Sequence, residues 1–254
     1  MARFSPHAAN YKTIGRLRNI LKIIFWSILL LSVIPVYIKN SKNICNYLSI
    51  IAIILFFALD IIIDYVVVPY AERKRRDDFI DNSFGARNSI QQSDGYFDND
   101  DINTGFYKAA VNLFENSFFT SSLLNRILIR KLILLLVVFL VFITLCFYGL
   151  RDNDIALIAL QAIFSASIVG DFIKYLILRF KVEQIFTQWK KIFDQTGDLA
   201  QSPEKHIPLI CQLWLEYEST ISRILVEIPQ KVFDENNTTL TTNWNKIRSL
   251  YSIS

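Results

Sequence analysis

Seven glycines, six prolines, three cysteines, two histidines and one methionine are spread over 254 residues. So little Gly and Pro excludes a collagenous chain or a low-complexity linker. Cys45, Cys146 and Cys211 are odd in number and far apart, which excludes a disulfide framework and a CxxC metal or redox centre. No disulfide partner is expected, and three free thiols suit lipid or a reducing compartment. GxSxG, a glycine-rich phosphate loop and HExxH are all missing, so no enzyme and no cofactor is expected. His7 and His206 stand on polar ground and read as exposed residues. Asp94, Asp98, Asp100 and Asp101 imitate a calcium loop, but no register supplies the glycine at position six and the glutamate at position twelve. They read as a solvated turn, and no metal is expected. Charge is scarce too: 27 basic and 23 acidic residues leave a net +4, too little for a chain that coats nucleic acid.

What the chain does have is apolar residues, 52% of the total, gathered into four runs. A helix needs about 20 apolar residues to cross a hydrocarbon layer about 30 Å thick. The first run, Ile23 to Ile38, reaches that length by counting Ile20, Leu21 and a snorkelling Lys22, with Pro35 near its far end. Leu48 to Val68 is the second. Leu132 to Leu150 carries no charge at all. The fourth, Ile155 to Leu178, is the most polar, with Gln161, Ser165, Ser167, Gly170, Asp171 and Lys174. A soluble core has no room for four such runs, so the expected fold is an all-α integral membrane protein with four transmembrane helices in two hairpins. The absence of a small-residue cleavage site and the prompt second run argue against a cleaved signal peptide.

Basic residues set the orientation. Seventeen Lys and Arg flank the runs on one side, from Arg3 to Lys22, Arg73 to Arg87, Arg126 to Lys131 and Arg179 to Lys191; Lys39, Lys42 and Arg151 are the three on the other. The positive-inside rule then places both termini in the cytoplasm of a multi-pass membrane protein. The predicted segments are a basic N-terminus (1–22), hairpin one (20–69), a cytoplasmic helical insert (70–131), hairpin two (132–178) and a cytoplasmic helical tail (179–254). On that side the Asn236 and Asn237 sequons have no meaning for glycosylation.

In the insert, Phe79, Ile80, Ser83 and Phe84 continue the second run as an amphipathic helix. Gly85 to Gly105 reads as a polar loop, and Tyr107, Val111, Phe114, Phe118 and Ile127 mark a helix leading into the third run. The tail shows a stripe of Val182, Ile185, Phe186, Trp189 and Phe193, broken at Thr196-Gly197-Asp198. A second helix is expected from an N-cap at Ser202 with Ile207, Ile210, Trp214, Tyr217, Ile221 and Ile224 inward. An Asn236-Asn237 turn and a short last helix with Trp244, Ile247 and Leu250 inward complete it. The two halves share one plan, consistent with a parallel repeat.

Polar residues inside the apolar runs are the candidate pore lining: Asp60, Asp64, Ser165, Ser167, Asp171 and Lys174. Asp60 and Asp64 are four apart, on one helical face, and a carboxylate in lipid costs several kcal/mol unless it meets water or a partner. Two readings stand: a cation-attracting ring in an oligomeric pore, or a structural pair with Lys22, Arg130 or Lys174. Asp171 and Lys174 are placed to satisfy each other. Ser165, Ser167 and Gly170 suit close helix contact or a narrow path. The cluster Arg73, Lys74, Arg75 and Arg76 is read as a topology anchor on anionic membrane lipid or, alternatively, as a phosphate or nucleotide site.

The insert opening AERKRRDDFIDNSFG and carrying GYFDNDDINTGFYKAAVNLFENSFFT, with a tail ending NNTTLTTNWNKIRSLY, resembles the bacterial four-transmembrane pore-forming effectors associated with nucleotide-second-messenger synthases in anti-phage defence. The resemblance covers essentially the whole chain and rests on layout rather than on catalytic residues. It implies a homo-oligomeric gated ion channel that depolarises the inner membrane in abortive infection, controlled by a nucleotide or oligonucleotide from a partner nucleotidyltransferase. From other classes, a small-solute transporter and a membrane scaffold docking a soluble partner on the cytoplasmic helices are the alternatives.

Overall fold

The computed structural model describes residues 8–89, 93, 97, 99–147 and 169–253. Among them the chain is helical and contains six long helices: α1 Ala8–Tyr37, α2 Lys42–Phe84, α3 Phe106–Phe147, α4 Asp171–Gln195, α5 Ile207–Arg223 and α6 Gln230–Leu250. Helices α1 and α2 are long and apolar enough to cross a membrane. Residues 148–150 of the third expected run and 155–168 of the fourth, including Ser165 and Ser167, lie outside the described residues.

Two compact units divide the chain. One comprises Tyr70–Ile127 with Lys174–Ser254, so the insert and the tail, read from sequence as separate pieces, pack as one body. Its centre is the first half of α3, where eight successive residues, 108–115, are buried. A helix covered on all sides is a core helix, whereas periodicity had marked only one face of it. Phe114 is the hub, with its ring centroid 5.4 Å from Phe186, 5.0 Å from Phe193 and 5.3 Å from Trp244. Trp214 of α5 closes on Phe79 and Phe84 of α2 at 5.1 and 6.1 Å. Each such aromatic pair adds about 0.5–1.5 kcal/mol beyond its buried area.

Three local expectations for this unit are corrected. Asn236 and Asn237 do not turn the chain; they lie inside α6, where buried Asn236 donates to the Val232 carbonyl at 2.6 Å and accepts from Arg126 of α3. A local side-chain bond that ordinarily favours turns is here absorbed by the helix and a neighbour. Leu250 is 75% exposed rather than inward, because α6 ends there and the chain turns away through Ser252, whose φ is +51°. Ser202 makes no side-chain cap bond: a 3-10 turn, Pro203–His206, intervenes before α5. The loop after Gly85 is also less solvated than its composition suggests, since Phe97, Asn99 and Ile102 are all buried. Buried Asp81 accepts the backbone N–H groups of Asn88 and Ser89, both at 2.7 Å, and Asp78 accepts that of Ser93 at 3.0 Å. Two carboxylates on α2 thus fold the loop back onto its own helix.

The other unit comprises Asn10–Pro69 with Leu128–Ile173. Its packing is inverted. Ile14, Leu21, Cys45, Ile63 and Val68 are buried, while Ile23, Trp26, Leu30, Ile54, Phe57, Leu136 and Leu140 are more than half exposed. Tyr37 ends α1, and the 3-10 turn Lys39–Ser41 leads directly into α2. Within α2 the residues Ile63–Val67 form a π turn.

Candidate functional site

Asp64 lies in that π turn, which adds a residue to one helical turn and re-aims the side chains it carries. Arg18 of α1 donates through Nη2 to its Oδ1 at 3.5 Å, with the two side chains 21% and 35% exposed. The sequence reading had offered Lys22, Arg130 or Lys174 as partner and used Arg18 only to set topology. A depth count finds the pair: Arg18 precedes Ile38 by 20 residues, and Asp64 follows Lys42 by 22. At about 1.5 Å per residue those positions are level on two antiparallel helices joined by a tight turn. Asp60, one turn away, is half-buried.

Asp171, the first residue of α4, accepts from the Lys131 ammonium of α3. Lys174, the partner expected from i,i+3 spacing, is exposed, and the cation paired with Asp171 comes instead from α3. Each pair combines a cation on the earlier helix with an aspartate on the later one, and in each the side chains are one-fifth to two-fifths exposed.

The basic cluster after Pro69 divides. Arg75 is directed inward, 14% exposed, and bonds Glu72 at 3.0 Å and Glu218 of α5 at 2.6 Å, so its guanidinium ties α2 to α5. Arg73 is exposed, Arg76 half-exposed, and the Lys74 ammonium sits 5.0 Å from the centre of the Tyr70 ring. Four successive residues at 100° each cannot share one face, and only Arg75 falls on the buried one.

A polar network that the sequence did not signal crosses the middle of the same unit. Asn99 donates to Asn112 at 2.9 Å and to Glu115 at 2.6 Å, and accepts from the Trp244 indole at 3.3 Å. Asn112 in turn donates to Asn82 and Ser83 at 2.9 and 3.1 Å. Loop, α2, α3 and α6 are pinned together by groups whose desolvation would otherwise be costly. Tyr217 of α5 shares a hydrogen bond of 3.0 Å with Thr120 of α3, and burial pushes its phenol up to about 12. Asp101, hydrogen-bonded by Arg248 at 2.5 Å, is held below the usual carboxylate range. His206, read as exposed, is partly covered and lies 3.0 Å from Asp198, whose carboxyl its hydrogen bond lowers. No cluster of His, Cys, Asp and Glu among the described residues could hold a metal ion.

Compared with known proteins, the chain matches no family model, no curated protein and no solved structure.

Proposed function

We propose that the chain is a membrane effector that assembles as a homo-oligomeric, gated ion channel or pore and depolarises the bacterial inner membrane in anti-phage abortive infection. It has four spans, both termini are cytoplasmic, and a nucleotide or oligonucleotide made by a partner synthase controls it through the cytoplasmic helices. The observation that carries the reading is the pairing of carboxylates with cations on helices whose outer faces are apolar. Asp64 with Arg18 and Asp171 with Lys131 are incompletely covered within one chain, and partly bare ion pairs on apolar helices need either water or further copies around them. Several copies enclose such a stripe; one copy leaves it against lipid. The resemblance to the four-transmembrane effectors supports the nucleotide and the defence setting.

Expression in bacteria loaded with a membrane-potential dye tests the reading. Loss of potential on expression with an active synthase, reduced by Asp60→Asn at unchanged oligomer yield, is the expected result. Steady potential in cells that hold abundant, membrane-inserted protein and an active synthase would overturn it.

A further inference from the structure

The unit built from Tyr70–Ile127 and Lys174–Ser254 keeps its aromatic rings inside, with Phe79, Phe114, Trp189 and Trp244 at most 2% exposed. Tyr70 and Phe180 break that rule at 54% each, and Ile177 at 44% accompanies them. They occur at matching places in the chain. Tyr70 follows the apolar part of α2 directly, and Ile177 and Phe180 follow Asp171 within ten residues of α4. Each ring carries a cation: Lys74 over Tyr70 at 5.0 Å and the Arg179 guanidinium over Phe180 at 5.1 Å. Arg73, Lys174 and Lys181 beside them are exposed, and no carboxylate among the described residues pairs with any of the three. The acids nearest them in sequence are already engaged: Glu72 by Arg75, Asp171 by Lys131, and Glu183 by the Ser121 hydroxyl.

Exposed rings with overlying cations suit a boundary that is apolar on one side and anionic on the other. Amphipathic rings settle at the level of lipid headgroups, and clustered Lys and Arg beside an apolar helix attract anionic ones. A soluble nucleotide supplies the phosphate but no hydrocarbon to cover Ile177 and Phe180. We infer that these two ring-and-cation patches, one after each apolar hairpin, bind the headgroups of anionic phospholipids. The inference rests on the membrane reading given above. It assigns Arg73 and Lys74 to lipid and adds Lys174, Arg179 and Lys181 to the same role, leaving nucleotide recognition to other parts of the unit.

The test uses the full chain. Flotation after reconstitution into neutral phosphatidylcholine vesicles first decides the membrane reading; a chain left at the bottom of the gradient as folded protein overturns that reading and the inference with it. Phosphatidylglycerol, phosphatidylcholine or acyl-free glycerophosphoglycerol is then titrated into the protein in mild detergent, with the thermal midpoint as readout. Phosphatidylglycerol should raise the midpoint with the highest apparent affinity and lose that advantage as salt is added. Each neutralised cation should weaken it about fivefold, so Arg73→Gln/Lys174→Gln/Lys181→Gln should lose about a hundredfold. These side chains are exposed and unpaired, so the variant should keep its midpoint without lipid. Phe180→Ala should weaken lipid binding without changing its salt dependence. Equal response to neutral and anionic lipid, an unchanged triple variant, or an equal response to the acyl-free headgroup would each overturn the inference while leaving membrane insertion intact.

Discussion

Replacing Arg75 by Ala removes the cation shared by Glu72 and Glu218, whose side chains are only 9% and 14% exposed. Deleting one partner of a buried ion pair strands the others and costs about 3–5 kcal/mol, far more than the pair itself contributes over an apolar replacement. For a unit of this size, 1 kcal/mol corresponds to about 2–4 °C in the unfolding midpoint, so Arg75→Ala should lower the midpoint by about 10 °C. Arg73→Ala, two residues earlier on the exposed face, should stay within about 0.5 kcal/mol of the parent. The triple change Arg75→Met/Glu72→Gln/Glu218→Gln should recover most of the loss, because no charge is then left unpaired. Thermal unfolding of the full chain in mild detergent, followed by near-UV circular dichroism of the buried Trp residues, measures all three. Equal midpoints for Arg75→Ala and Arg73→Ala would refute the assignment of Arg75 to the α2–α5 contact.

Tyr217 tests the same contact from the alkaline side. Its folded pKa of about 12 lies above the ordinary 10, so its stabilising contribution is complete below pH 10 and is lost as pH rises towards 12, by about 3 kcal/mol. Tyr217→Phe should be about 1 kcal/mol less stable than the parent at pH 7, for want of the Thr120 hydrogen bond, and more stable at pH 12; unfolding curves at both pH values check the crossover. Asn99→Ala leaves the Trp244 indole and Asn112 short of partners in the core and should cost about 2–3 kcal/mol, read as an earlier denaturant midpoint. Asp64→Asn should cost about 1–3 kcal/mol, between the limits for exposed and buried pairs. Adding Arg18→Gln should return part of that cost in a double-mutant cycle.

Helix positions were legible where periodicity was strong. The stripe from Val182 to Phe193 and the break at Thr196-Gly197-Asp198 follow from 3.6-residue spacing and familiar terminators. What could not be read was how the polar residues are spent. Asn99, in a stretch of Asp, Asn and Gly, has every local sign of a solvated turn, yet tertiary contacts with Asn112, Glu115 and Trp244 bury it completely. Asn236 looked like a turn former because its side chain competes for backbone groups, and Arg126 from a distant helix changes that balance. Both are long-range effects, and neighbours in sequence do not encode them. The charges within the apolar runs were legible as exceptional residues but not as pairs with their observed partners, because helical spacing looks only along one helix.

The Arg18–Asp64 pair carries a constraint beyond its own energy. A side chain one turn away along an α-helix is displaced by about 5.4 Å, so slipping α1 against α2 by one turn would carry Arg18 beyond reach of Asp64 and expose both charges to apolar surroundings. Apolar side chains alone enforce register weakly when lipid is as good a partner as a neighbouring helix. The ion pair adds to it, since separation leaves two partly covered charges without their compensating partners, at about 1–3 kcal/mol for a pair of this exposure. The π turn at Ile63–Val67 matters for the same reason, because an extra residue in that turn sets the direction from which Asp64 meets α1. Lys131 of α3 and Asp171 at the start of α4 tie those two helices in the same way. A helix pair held in register at one end by a charge pair and at the other by a short turn resists sliding of one helix along the other, so α1 and the apolar part of α2 behave as one element.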